Sequence, residues 1–196
     1  MASAKRPVDG PTHAPSRPDL PDEPASEGFV DARVEGADLS GAELRSVRVI
    51  DTELIRCNLA NARLHGATLQ RVLLRGCRLT GASFADGALT DVVFADCRID
   101  LASFAGVAFE RVVLSDCALT QTDLQGARLQ DVRFERCDLT EVDLMDAVAR
   151  NSEMRGCTLT GLRGVESLRH VGMPWPDVLA AADVFAAALG VRVLED

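Results

Sequence analysis

Ala37-Asp38-Leu39-Ser40-Gly41 opens a run of five-residue units that continues without insertion to Cys157-Thr158-Leu159-Thr160-Gly161. Steps of five from Leu39 to Leu159 give 25 central positions, of which 16 are Leu and five are Phe (Phe84, Phe94, Phe104, Phe109 and Phe134). Val49, Ile99, Met154 and Ala149 hold the others. Two residues before each centre the side chain is always compact: Ala, Val, Cys, Thr, Ser or Gly. Two of every five side chains therefore belong to an interior. A period of five fits neither the 3.6 of an amphipathic helix nor the 2 of an ordinary half-buried strand. Phe29 and Val34 share the phase, which places the start of the first coil near them.

The cysteines set a longer period. Cys57, Cys77, Cys97, Cys117, Cys137 and Cys157 are spaced by 20, all at the compact inward position. Val72, Val92, Val112 and Val132 keep the same spacing, as do Ala42, Ala62, Ala82 and Ala102. Four units therefore complete one turn of a solenoid whose successive turns pair as parallel strands about 4.8 Å apart. A little more than six turns make a rod roughly 30 Å long.

Outside this run the composition changes. Six of the eight prolines lie in the first 24 residues, mixed with Ser, Ala, Asp and Glu. Such a segment buries little apolar surface, so residues 1–28 are expected to be a disordered tail. The chain has 21 Lys and Arg against 30 Asp and Glu, a net charge of −9, which disfavours direct binding of nucleic acid or an anionic membrane. It holds no apolar run long enough to span a bilayer and starts without a secretory h-region, so a cytoplasmic location is expected.

Triplets such as Ala37-Asp38-Leu39, Cys57-Asn58-Leu59 and Cys137-Asp138-Leu139 resemble those of the pentapeptide-repeat proteins. The resemblance covers about residues 29–163. It implies an all-β fold, a right-handed quadrilateral parallel β-helix with the compact residue and the centre packed inside. Residues 164–196 are then a C-terminal cap. Within it, Pro176 to Leu189 reads as one helix, with Asp177 favourable in its first turn and Gly190 as its stop. Val178, Ala182, Phe185 and Leu189 fall on one apolar face of that helix. This face and Trp175 are expected to plug the open end of the solenoid, and a homodimer contact is the alternative.

The candidate chemistry is sparse. A straight column of thiols inside a packed rod does not converge as a tetrahedral metal site does, and reduced core cysteines are expected. His65 points outward beside Arg45 and Ala85 on the neighbouring turns, with no nucleophile or carboxylate to make a catalytic set. The chain contains no P-loop, no H-E-x-x-H and no dinucleotide fingerprint. No enzymatic activity, cofactor or metal is expected.

Surface charge is uneven. Residues 37–81 carry four acids and seven arginines, whereas residues 82–161 carry 14 acids and seven arginines. Asp123, Asp138, Glu141, Asp143 and Asp146 fall on two adjoining sides of the late turns and form a candidate docking surface for a basic protein. A protein-binding scaffold with an unknown partner is the first expectation; the alternative, which the resemblance implies, is a DNA mimic directed at DNA gyrase, since family members linked to fluoroquinolone resistance present a DNA-like acidic surface to it. The basic early turns depart from that pattern. Leu73, Val93 and Val113 form a second candidate patch, an outward aliphatic column expected on the side opposite the cysteines. One corner column, Asp51, Arg71, Asp91, Arg111, Asp131, Asn151, alternates in sign as a ladder of ion pairs should.

Overall fold

The computed structural model describes residues 28–192, so the expected tail lies outside the described residues but for Gly28. Eleven strands form one parallel sheet wound into a solenoid. They are β1 (Phe29–Val30), β2 (Arg33–Glu35), β3 (Arg48–Ile55), β4 (Thr68–Arg75), β5 (Ala88–Ala95), β6 (Ala108–Glu110), β7 (Val113–Ser115), β8 (Arg128–Gln130), β9 (Arg133–Glu135), β10 (Val148–Arg150) and β11 (Glu153–Arg155). Each pairs with its neighbour at a displacement of 20 residues, as in Leu69 with Leu89 and Leu74 with Phe94. These strands make the third and fourth sides of the coil. The first side, which carries the cysteines, and the second are laddered by single bridges such as Asn58 with Arg78 and Ser83 with Ser103.

The last residue of each unit turns the corner in the left-handed backbone region. Gly41, Gly66 and Gly81 do so, but so do Asn61, Asp86, Arg71 and Leu101. On the first two sides the corner closes as a β-turn, in which the Ala42 amide donates to the Leu39 carbonyl at 3.1 Å and the Ala62 amide to Leu59 at 3.1 Å. The third residue of such a turn needs a positive φ. The pentapeptide spacing is thus a strand segment followed by an obligatory bend.

Inside, the centres and compact residues form one continuous apolar core. Aromatic rings are few but concentrated in the middle turns, where Phe104 stacks on Phe84 with centroids 4.8 Å apart and meets Phe94 and Phe109 at 6.4 and 5.5 Å.

The cysteines are reduced, and five of the six are buried. They are more than small hydrophobes. Each thiol donates to the carbonyl two residues before it and to the carbonyl 23 residues before it, as Cys97 Sγ does to Ala95 at 3.3 Å and Leu74 at 3.5 Å. Thr52, Thr122 and Ser152 occupy the same inward position and reach back 23 residues in the same way. The compact position thus accepts any small side chain and rewards one carrying a donor. The neighbouring Cys117 thiol, with burial, pushes the Cys137 thiol up to about 11, and Cys137 with burial raises Cys157 further. These thiols stay protonated.

The coil runs on beyond residue 163 with one residue deleted, since Gly172 pairs with Glu153 at a displacement of 19. Gly164 takes a central position where a side chain would strike the backbone of Leu144 and Met145, and its φ is +72°. A 3₁₀ turn, Val165–Leu168, follows it and folds over the last coil. Val165, Leu168, Val171 and Met173 pack against the core there.

The single helix expected over 176–189 is instead two, α1 (Trp175–Ala180) and α2 (Ala182–Ala188). Ala181 leaves helical geometry at φ −104° and ψ 16°, so the 3.6-residue period does not carry through it. The expected face is therefore split. Ala181 and Val184 are buried, Phe185 and Val178 are half-buried, and Ala182 and Leu189 are exposed. Trp175 is 70% exposed and is not a plug. Asp177 instead closes the last turn, its Oδ2 accepting the Gly156 amide at 2.7 Å, where a next coil would have supplied a carbonyl.

Candidate protein-binding surface

Asp123, Asp138 and Asp143 sit one residue before a centre on the first two sides, where the turn leaves the amide two residues on without a ladder partner. Each carboxylate accepts that amide: Asp123 from Gln125 at 2.9 Å, Asp138 from Thr140 at 3.0 Å and Asp143 from Met145 at 3.0 Å. Asn58 and Ser103 serve the same purpose elsewhere on these sides. These acids are therefore partly local backbone chemistry, a variant of the Asx turn. The Thr140 hydroxyl and amide hold the Asp138 carboxyl below the usual range, so it is ionised at neutral pH.

The five candidate acids do not form one exposed field. Asp138, Glu141 and Asp146 are exposed and Asp123 is half-buried, but Asp143 is only 2% exposed. Arg163 Nη2 lies 3.2 Å from Asp143 and Gln125 Nε2 donates to it at 2.9 Å, which corrects its expected place on the accessible surface. Glu141 accepts from Gln121 Nε2 at 2.6 Å and, like Asp146, stands at a left-handed corner. Neither carboxylate binds an amide of the backbone among the described residues, so both project from the corner, Glu141 held by Gln121 alone.

The aliphatic column pairs as expected, Leu73 with Val93 and Val93 with Val113. It lies on the fourth side, which adjoins the cysteine side across the corner at Arg56, Gly76 and Asp96. The expectation of opposite sides fails because consecutive units always lie on consecutive sides. Its members are half-buried, with Glu53 below and Arg133 above in the same column.

The alternating corner forms discrete pairs. Arg71 binds Asp51, and Arg111 Nε lies 2.6 Å from Asp91. The arginine of each pair holds its carboxyl below the usual range. His65 is half-buried rather than freely outward, its Nε2 3.1 Å from Ser83 Oγ and its Nδ1 buried without a hydrogen bond. Among the described residues, no cluster of His, Cys, Asp and Glu could hold a metal ion, and no helix is long and apolar enough to cross a membrane.

A family profile described as a pentapeptide repeat region matches residues 28–104 and 88–163. Among solved structures, HetL of the cyanobacterium Nostoc, a pentapeptide repeat protein involved in regulating heterocyst differentiation, is 26% identical with a TM-score of 0.44. That match covers 66% of this chain and 64% of HetL, a little under two thirds of its length. Full-length QnrB1, a plasmid-mediated fluoroquinolone resistance protein, is 17% identical with a TM-score of 0.35, over 84% of this chain and 91% of its own. A pentapeptide repeat protein of the Arabidopsis thaliana thylakoid lumen is 18% identical with a TM-score of 0.25, over 78% and 76%. Among curated proteins none matches. With the profile covering most of the solenoid and the ladder keeping its period of 20 up to Arg163, the chain belongs to the pentapeptide-repeat family.

Proposed function

We infer that the protein is a non-enzymatic scaffold of the cytoplasm that binds another protein through the sides of its rod. The observation that carries this reading is the division of labour within each unit: two side chains fill the core and three face outward, so chemical variety is confined to the lateral surface. The interior is packed with Leu and Phe, and a substrate would have to bind on an open side. The partner is unidentified. Asp138, Glu141 and Asp146, exposed on the late turns, suit a basic one. Because Asp138 also accepts a backbone amide, neutralisation is a cleaner probe than charge reversal. Asp138→Asn, Glu141→Gln and Asp146→Asn together should leave the melting temperature nearly unchanged while reducing capture of the partner by the immobilised protein from its own cytoplasm. Equal capture by the two proteins would remove these acids from the surface.

A second reading, a DNA mimic directed at DNA gyrase, is favoured by those same exposed late-turn acids. It predicts inhibition of supercoiling, or protection from a quinolone, that weakens steeply with salt and is lost in the neutralised variant. The absence of any effect at large molar excess would exclude it.

A further inference from the structure

Six arginines of the rod meet a carboxylate one turn away. Arg33 pairs with Glu53, Arg63 with Glu43, Arg71 with Asp51, Arg111 with Asp91, Arg136 with Asp116 and Arg163 with Asp143. On the cysteine side two arginines stack on each other instead. There the column before the centres reads Asp38, Asn58, Arg78, Arg98, Ala118, Asp138, Thr158, bridged rung by rung. Arg78 and Arg98 are stacked like charges, both exposed; Arg98 has only Asp100, at 3.6 Å, and Arg78 has no ion pair among the described residues. Like charges directly opposite destabilise a sheet. Three and two rungs above the doublet, roughly 14 and 10 Å away, stand Asp138 and, beside it, the corner acid Glu141.

This column is therefore basic at mid-rod and acidic near the C-terminal end, and reversing its direction superposes one sign on the other. We propose that two copies of the chain associate through their cysteine sides, antiparallel about a two-fold axis lying in the interface between the levels of Arg98 and Ala118. Such an axis reverses the rod but keeps lateral position. It sets Arg78 of one copy against Asp138 of the second and, by symmetry, Asp138 against Arg78, with Arg98 one rung from the same carboxylate. It also brings the two Leu101 side chains, each 58% exposed at the corner of this side, within about one rung of each other beside the axis. A contact of this kind is isologous and closes at two copies.

One side, roughly 30 Å by 15 Å, would bury about 900 Å² in total, below the usual 1,200–2,000 Å² of stable interfaces. The association is accordingly weak and depends on charge. Each copy also carries a net charge of −9, which opposes approach at very low salt. At about 0.15 M salt the Debye length of about 8 Å screens the distant charges and spares those in contact, whereas at 1 M it is about 3 Å.

Sedimentation equilibrium of the full chain at high micromolar concentration tests this directly. At about 0.15 M salt the weight-average mass should rise with concentration towards twice the monomer, and at about 1 M it should return to the monomer. Arg78→Glu with Arg98→Glu, and separately Asp138→Lys with Glu141→Lys, should each remain monomeric. Mixed in equal amounts, the two variants should associate again, because both symmetric contacts then join an acid to a base. That recovery also shows that both variants are folded. A monomer under all conditions, a dimer indifferent to either charge reversal, or a mixture that fails to associate would each overturn the proposal. A dimer lost instead on Leu189→Asp would place the contact at the C-terminal helices and overturn it too.

Discussion

Leu101 holds a left-handed corner with φ +59° although its branched side chain gains nothing there and is largely exposed. A left-handed backbone costs a non-glycine residue about 1–2 kcal/mol, less for Asn. Leu101→Asn should therefore stabilise the folded chain by about 0.5–1 kcal/mol in urea unfolding, and a loss would mean that Leu101 packs on something in the monomer. The thiols give the opposite kind of test. If Cys97 served only as filler, Cys97→Ala and Cys97→Ser would cost alike, or Ser more. Because its Sγ donates to two carbonyls, we expect Ser, which keeps the donor, to cost less than Ala, which should lose about 1–2 kcal/mol. Ellman's reagent should label Cys157 first, as the one half-exposed thiol, and the other five only as fast as the rod opens. The column of cysteines was visible in the sequence as a period. Its hydrogen bonding was not, although Thr52, Thr122 and Ser152 at equivalent positions were the signal that could have revealed it.

At the scale of elements, a unit of five works because a short strand and a fixed bend are coupled, and the middle turns add an aromatic stack. Phe104→Ala removes the ring that touches Phe84, Phe94 and Phe109 and should cost about 3–5 kcal/mol. Ser103→Ala beside it should cost under about 1 kcal/mol, since Ser103 only accepts an amide at 3.4 Å and donates to Asp123 at 3.2 Å. Comparable losses would contradict the inward and outward assignment. The C-terminal helices were less legible. A continuous helical pattern from Pro176 to Leu189 contains nothing that announces the break at Ala181, because alanine is the best helix former. The break comes from the need to lay Ala181 and Val184 on the last coil while Asp177 caps Gly156. Val184→Asp should accordingly destabilise the rod by about 2–4 kcal/mol, and Leu189→Asp, at a site 81% exposed, should change it by less than about 0.5 kcal/mol. The reverse order would restore the face read from the sequence.

For the whole molecule, the period of 20 suffices to predict the fold, because a side chain's side and direction follow from its number alone. The candidate surface was harder to read for the same reason. Counting placed Asp143 outward beside Asp123, but which outward group is covered depends on long side chains such as Arg163 and Gln125 reaching from neighbouring turns. Those contacts also determine how the rod responds to acid. Asp51, Asp91 and Asp116 are each held below the usual carboxyl range by an arginine one turn away. Below the unfolded value of about 3.9 the unfolded chain binds protons that these groups refuse in the rod, so falling pH favours unfolding. The contribution is fully present above that value and lost as pH drops through the lower folded one. Thermal stability should then be nearly flat from about pH 7 to 5 and fall below about pH 4. In Asp91→Asn the Arg111 pair is gone at every pH. Its melting temperature should lie below the parent's at pH 7, by an amount that salt partly reduces, since the pair is half-buried and still reached by solvent. The two curves should converge once the pH falls below the lowered folded value, where the parent's pair is also broken. If the difference persisted undiminished in acid, Asp91 would be acting by shape or hydrogen bonding rather than by charge, and the alternating column would not be an ion-pair ladder.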